Sequence, residues 1–123
     1  MQLLFPLLNS NLKITENDVT TGYEHSNTGT YKKGNIQYIN SQIQFPVDVA
    51  SAYTFFTIAY APENLFLQHS FCGVINYGNI IAPALFRITT GKEIQIFISP
   101  EIINLGSVFV TAYLNTDYRI AVE

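Results

Sequence analysis

An antiparallel all-β fold, in the form of a β-sandwich or jelly-roll-like single domain, is what this sequence predicts. Three observations carry that prediction. Residues 93–98 read Glu-Ile-Gln-Ile-Phe-Ile, with Ile94, Ile96 and Ile98 spaced to share one face of a strand. No window of about a dozen residues carries a clean helical period, while β-branched and aromatic residues dominate. Turn-forming groups such as Tyr77-Gly78-Asn79 and Thr90-Gly91-Lys92 fall between the apolar runs, where hairpins need them.

In chain order, residues 1–30 are the least regular part. Short strands are expected near 12–14 and 19–23, followed by a loop from His25 to Gly29. A basic turn at Lys32-Lys33-Gly34 leads into a strand over 36–45. There the apolar phase shifts between Ile36 and Tyr38 on one parity and Ile39, Ile43 and Phe45 on the other, which predicts a β-bulge near Tyr38 to Asn40. A second run over 53–60 stops at Ala61-Pro62-Glu63. Strands over 65–76 and 80–89 flank the Tyr77-Gly78-Asn79 turn, and the second sets Ala82, Ala84, Phe86 and Ile88 on one face. Pro83 has no N–H for a ladder, so it predicts an edge position or a bulge.

After the 93–98 strand, Ser99-Pro100-Glu101 and Asn104-Leu105-Gly106 bracket a connection to residues 107–114. That strand puts Val108, Val110, Ala112 and Leu114 on one side and Phe109, Thr111 and Tyr113 on the other. Apolar residues on both sides predict burial of the second face between subunits. Asn115-Thr116-Asp117 is read as a turn into a final strand over 118–122. With no repeat, linker or low-complexity tract, residues 1–123 read as one domain.

Composition narrows the function classes. A chain of 123 residues buries roughly two-thirds of its unfolded surface and needs no disulfide or metal to fold. Charged residues make up 12 %, about half the usual share, so neutral polar side chains carry solubility. A net charge of −3, with only Lys32 and Lys33 adjacent, argues against nucleic acid, whose binding needs clustered cations. The single cysteine, Cys72, sits among apolar neighbours and reads as a small buried core residue. The N-terminal run Met1-Gln2-Leu3-Leu4-Phe5-Pro6-Leu7-Leu8 has no basic region and is split by Pro6, so no signal peptide is expected. No apolar run approaches the ~20 residues of a membrane-spanning helix, and no membrane insertion is expected.

Catalytic and cofactor chemistry has no motif here. There is no G-x-S-x-G element, and Ser70 beside His69 on a strand would point to the opposite face from it. Two histidines and one cysteine, widely spaced, offer no metal set, and the acidic residues are scattered singly. The chain is therefore expected to be no enzyme and to hold no cofactor. A binding role puts the interest on exposed loops and aromatics. In the absence of tryptophan, tyrosine must supply any sugar-stacking surface. Tyr77, flanked by Asn76 and Asn79, is the best candidate: a flat ring with amide donors and acceptors on either side. His69 is a second candidate contact, against the plainer reading of a strand histidine with one local hydrogen bond.

Tyr31-Lys32-Lys33-Gly34-Asn35 leading into Ile36-Gln37-Tyr38-Ile39 places an aromatic and a basic pair before a strand. Phe56-Thr57-Ile58-Ala59-Tyr60-Ala61-Pro62-Glu63 then ends a strand in a proline turn, Ile88 to Ile96 forms a hairpin, and Tyr118-Arg119 closes the chain. This order, from about Thr20 to Arg119, resembles the head domains of phage tail fibres and baseplate receptor-binding proteins. It departs from them in having Asn64-Leu65-Phe66-Leu67 after the proline turn and no central tryptophan. The resemblance implies a homotrimeric head in the virion, made in the host cytoplasm. Such a head adheres to a host surface saccharide or teichoic acid by many weak contacts and is held by other tail or baseplate proteins. Two alternatives share the fold class: a tail or baseplate assembly protein without receptor binding, and a carbohydrate-binding module of a bacterial protein.

Overall fold

The structure, a computed structural model, describes residues 24–27, 29–47, 54–98 and 108–121. The chain is all-β and antiparallel: β1 (Glu24–Asn27), β2 (Tyr31–Lys33), β3 (Ile36–Val47), β4 (Phe56–Tyr60), β5 (His69–Tyr77), β6 (Ile80–Ile88), β7 (Glu93–Phe97) and β8 (Val108–Arg119). No helix occurs among the described residues. The strands form a single sheet in the order β1-β3-β8-β5-β6-β7-β4, with β2 also paired to β3. The sheet curls into a half-barrel. It is one curled sheet rather than the two stacked sheets of a sandwich, and Phe45 of β3 meets Phe56 of edge strand β4 edge-to-face at 5.7 Å.

Period-2 alternation fills the concave side. Ile94, Ile96 and Ile98, then Ala84, Phe86 and Ile88, then Val110, Ala112 and Leu114 are all buried, with Ala82 packed against them. The strand over 93–98 and the 80–89 face therefore form as the sequence predicts. Pro83 lies where β6 has run past the end of β7, whose pairing starts at Leu85↔Phe97. It is paired only to Val74 on the β5 side, the edge position its missing N–H requires.

Several expectations are corrected. β3 carries no bulge, because its register with β8 is unbroken from Ile36↔Arg119 to Val47↔Val108. Its inward parity is Gln37, Ile39, Ser41, Ile43 and Phe45, and the two polar members are buried rather than turned outward. Gln37 is accommodated because its Nε2 donates to the carbonyls of Tyr31 at 2.9 Å and Tyr38 at 3.0 Å. On the outer side Tyr38 stacks on its partner Tyr31, with centroids 4.7 Å apart, so both phases are used. The register shift falls instead between Thr57 and Ala59 in β4, where consecutive Ile58 and Ala59 are both buried.

Asn115-Thr116-Asp117 does not turn. β8 passes straight through it because Asn40, Ile39 and Tyr38 of β3 pair with those three residues, and ladder bonds override local turn preference. His25 to Asn27 is not loop but part of β1, registered on Ser41 to Gln44 of β3. Cys72 is exposed, not buried, since it shares parity with the outward Val74 rather than with Ile75. The strands expected at 12–14 and 19–23, and the connection over 99–106, lie outside the described residues.

The hairpins follow local chemistry. Gly34 and Gly78 take φ of +62° and +59° at the first central position of two-residue Gly-Asn turns, a conformation open to glycine at no steric cost. The basic pair thus belongs to β2, and Gly34-Asn35 makes the turn. The β6–β7 turn is a three-residue loop closed by Lys92 N–H to Thr89 C=O and Thr89 N–H to Glu93 C=O, both 2.9 Å. Its left-handed position is taken by Lys92 at φ +73°, not by glycine. Lys92→Gly is expected to raise stability by about 0.5 kcal/mol, the relief of that strain less glycine's entropy. Chemical denaturation at constant slope checks it.

Candidate functional site

The residues singled out from the sequence do not come together. His69 opens β5, while Asn76 and Tyr77 end it. Residues 69 and 76 of one strand stand about 24 Å apart. Asn79 is exposed in the β5–β6 turn beside a half-buried Asn76, and Tyr77 closes β5 as the partner of Ile80.

The two ends of the half-barrel differ in what they gather. The end at His69 collects the β2–β3 turn, the β6–β7 turn, the C-terminal end of β8 and the segment over 61–68 that crosses from β4 to β5. That segment is tied down along its length. Ala61 N–H donates to Lys92 C=O at 2.7 Å, Phe66 N–H to Arg119 C=O at 2.8 Å, and Ala121 N–H to Asn64 C=O at 2.8 Å. Leu65 bridges Ile120 and is buried. Tyr118 completes the anchorage: its phenol donates to Glu63 C=O at 2.6 Å and accepts from Glu63 N–H at 3.0 Å. Burial holds this phenol above the ordinary tyrosine value, opposed in part by the bond to the Glu63 backbone and reinforced by the Glu63 charge. The Lys32–Glu63 pair, 3.5 Å and about a third exposed at each side chain, adds little.

Between this anchored segment and β8 lies an open groove of about 300 Å³, lined by Phe66, Leu67, Gln68, His69, Tyr118 and Arg119. Phe66 and Leu67 are 52 % and 68 % exposed, side by side in sequence, so the strap turns two large apolar groups to solvent. The Arg119 guanidinium sits 5.1 Å from the centre of the Phe66 ring. His69 Nε2 is 3.0 Å from Thr116 Oγ1 across the β5–β8 gap, and the imidazole stacks on Phe71 at 5.7 Å. Phe71 stacks in turn on buried Phe86 at 5.2 Å, so the groove wall is continuous with the core.

The groove thus offers a flat apolar ring, a fixed cation, an imidazole and a carboxamide, with no acidic side chain among its lining. Those groups can hold a sugar ring against Phe66 and hydrogen-bond its hydroxyls or an anionic substituent. No group of three or more metal-ligating side chains exists among the described residues. Of the sequence candidates, only His69 belongs to this groove. Phe66, Leu67 and Arg119 were missed, although consecutive apolar residues just after a proline turn cannot all face one core. Against known protein families, characterised proteins and solved structures, the chain gives no significant match. The fold and groove define an all-β half-barrel with an open groove at one end.

Proposed function

We propose that this chain is a receptor-binding head domain of a phage tail or baseplate, adhering without catalysis to a host-surface saccharide or teichoic acid. The groove under Phe66 and Arg119 carries the reading, because it joins a stacking ring to hydrogen-bond donors and a positive charge suited to a neutral or anionic glycan. The resemblance of Tyr31 to Ile39 and of Phe56 to Glu63 to tail-fibre heads supplies the setting, a homotrimer in the virion. Weak single sites suffice there, since presenting several at once raises avidity by ~10²–10⁴.

The test is a glycan-array and cell-wall binding screen with the wild type, Phe66→Ala and Asn79→Ala. Phe66→Ala is expected to weaken binding by about tenfold per site or more, stacking being worth about 1–2 kcal/mol. Its circular dichroism and melting should not change, because the ring is more than half exposed. Asn79→Ala, at the far end of the half-barrel, is expected to bind as the wild type does. Full binding by Phe66→Ala with loss in Asn79→Ala would move the site to the Asn76-Tyr77-Gly78-Asn79 turn. A wild type that binds no glycan but holds other tail subunits would favour the assembly-protein alternative.

A further inference from the structure

We propose that the convex face of β5, β6 and β8 is the surface on which copies of this chain bind one another. The strand register builds this face in rungs. Cys72, Leu85 and Phe97 are direct cross-strand partners in one rung, and Tyr113, Val74 and Pro83 in the next. Val74 and Leu85 are each 42 % exposed, and Ile81, one rung further along β6, is 71 % exposed. An open apolar hollow of about 260 Å³ lies over the first rung. Neither rung contains an acidic or basic side chain.

Size and charge together select the occupant. The patch, which Phe97 of β7 extends to a fourth strand, spans about 400 Å² with strands about 4.8 Å and rungs about 7 Å apart; it is mainly apolar in the first two rungs and shared in the third by Ile81 with Asn76 and Thr111. That matches the apolar centre of a protein interface, which with its polar rim reaches about 800 Å² per partner. The exposed Gln42 and Gln44 of β3, on the same outer parity, supply such a rim. A partner chosen for charge would need opposing charges to meet, and these two rungs offer none; Arg87, one rung beyond Leu85 on the same face, is already engaged by Gln95 and the Phe55 ring. A further copy brings the same two uncharged rungs, and copies packed about this face through them bury no ion. The face lies on the outer wall, while the groove opens at the His69 end, so assembly leaves the groove accessible. This inference names the surface for the homotrimer proposed above and rests on that reading only for the number of copies.

Light scattering of the full chain across micromolar concentrations, paired with maleimide labelling of Cys72, tests it. The wild type is expected to exceed 13.8 kDa and to label slowly when concentrated and quickly when diluted. Val74→Lys and Leu85→Lys place a charge on exposed positions outside the core. Each is expected to give a folded monomer whose Cys72 labels about tenfold faster than the assembled wild type. A wild type monomeric throughout overturns the proposal. So does an oligomer that survives both substitutions with Cys72 reactive in it. Should either lysine variant lose its β circular dichroism, the wild-type labelling series decides alone, protection supporting the face and its absence refuting it. Assembly by this face with no glycan bound would sink the receptor reading and leave this inference standing.

Discussion

Gly73→Ala is expected to destabilise the domain by about 2 kcal/mol, a large share of the roughly 5–15 kcal/mol such domains possess. Gly73 lies on the concave face of β5, between Phe71 and Ile75, and the Phe86 ring occupies the space a side chain would take. A Cβ there would run into Cε1 of that ring, would meet its Cδ1 at 2.8 Å, and would press on the Tyr113 carbonyl oxygen at 3.3 Å. The ring has little room to yield, being fully buried and stacked 9° from parallel on Phe71. Thermal and urea unfolding of Gly73→Ala measure the loss. Phe86→Leu in the same chain should recover part of it, so that the double variant is more stable than the two single losses added together. An unshifted melting temperature in Gly73→Ala would mean that Phe86 does not sit where the fold places it.

Tyr118→Phe is expected to cost about 1–2 kcal/mol and to alter the response to alkali. Removing the hydroxyl takes the partner from both the N–H and the C=O of Glu63, and so unpins the segment that carries Phe66 and Leu67. The pH effect has a definite sign. The folded state holds this phenol's proton more tightly than the unfolded chain, whose value is near 10.0. Below that pH both states keep the proton and its contribution is complete. Above it the unfolded chain ionises first, so stability falls as pH rises toward the folded value. Denaturation midpoints at pH 8 to 11 should therefore fall in the wild type by more than in Tyr118→Phe; identical slopes would refute the role given to the phenol. On the function proposed above, glycan binding by the variant should weaken with the loosening of the strap, even where the domain stays folded.

How far the chain could be read in advance depended on whether the decisive contacts were local. Ile94, Ile96 and Ile98, and Ala84, Phe86 and Ile88, alternate with period two, and each strand turned the face that its own spacing specifies toward the core. Gly78-Asn79 turned the chain where glycine permits it, Thr90-Gly91-Lys92 turned it with Lys92 in the left-handed position, and Pro83 announced an edge from the single N–H it lacks. These are properties of a few consecutive residues, and the all-β antiparallel class follows from them.

Tertiary structure decided the rest. Asn115-Thr116-Asp117 carries turn-forming side chains, yet the ladder to β3 held it extended, because twelve paired residues outweigh three local preferences. Gln37 and Ser41 look like solvent-facing residues, yet the inward phase of β3 buried them once Tyr31 and Tyr38 supplied carbonyls for the glutamine amide. Cys72 went outward for the converse reason, its parity being set by Ile75 and Phe86 within the core. The groove was the least legible part. It joins Phe66 and His69 to Tyr118 and Arg119, some fifty residues apart in sequence, and the Leu65–Ile120 bridge together with the Phe66–Arg119 and Glu63–Tyr118 hydrogen bonds brings them to one place. Sequence determined which residues could make strands and turns; long-range pairing determined which side chains shared a surface, because a sheet acquires its faces only when its register is set.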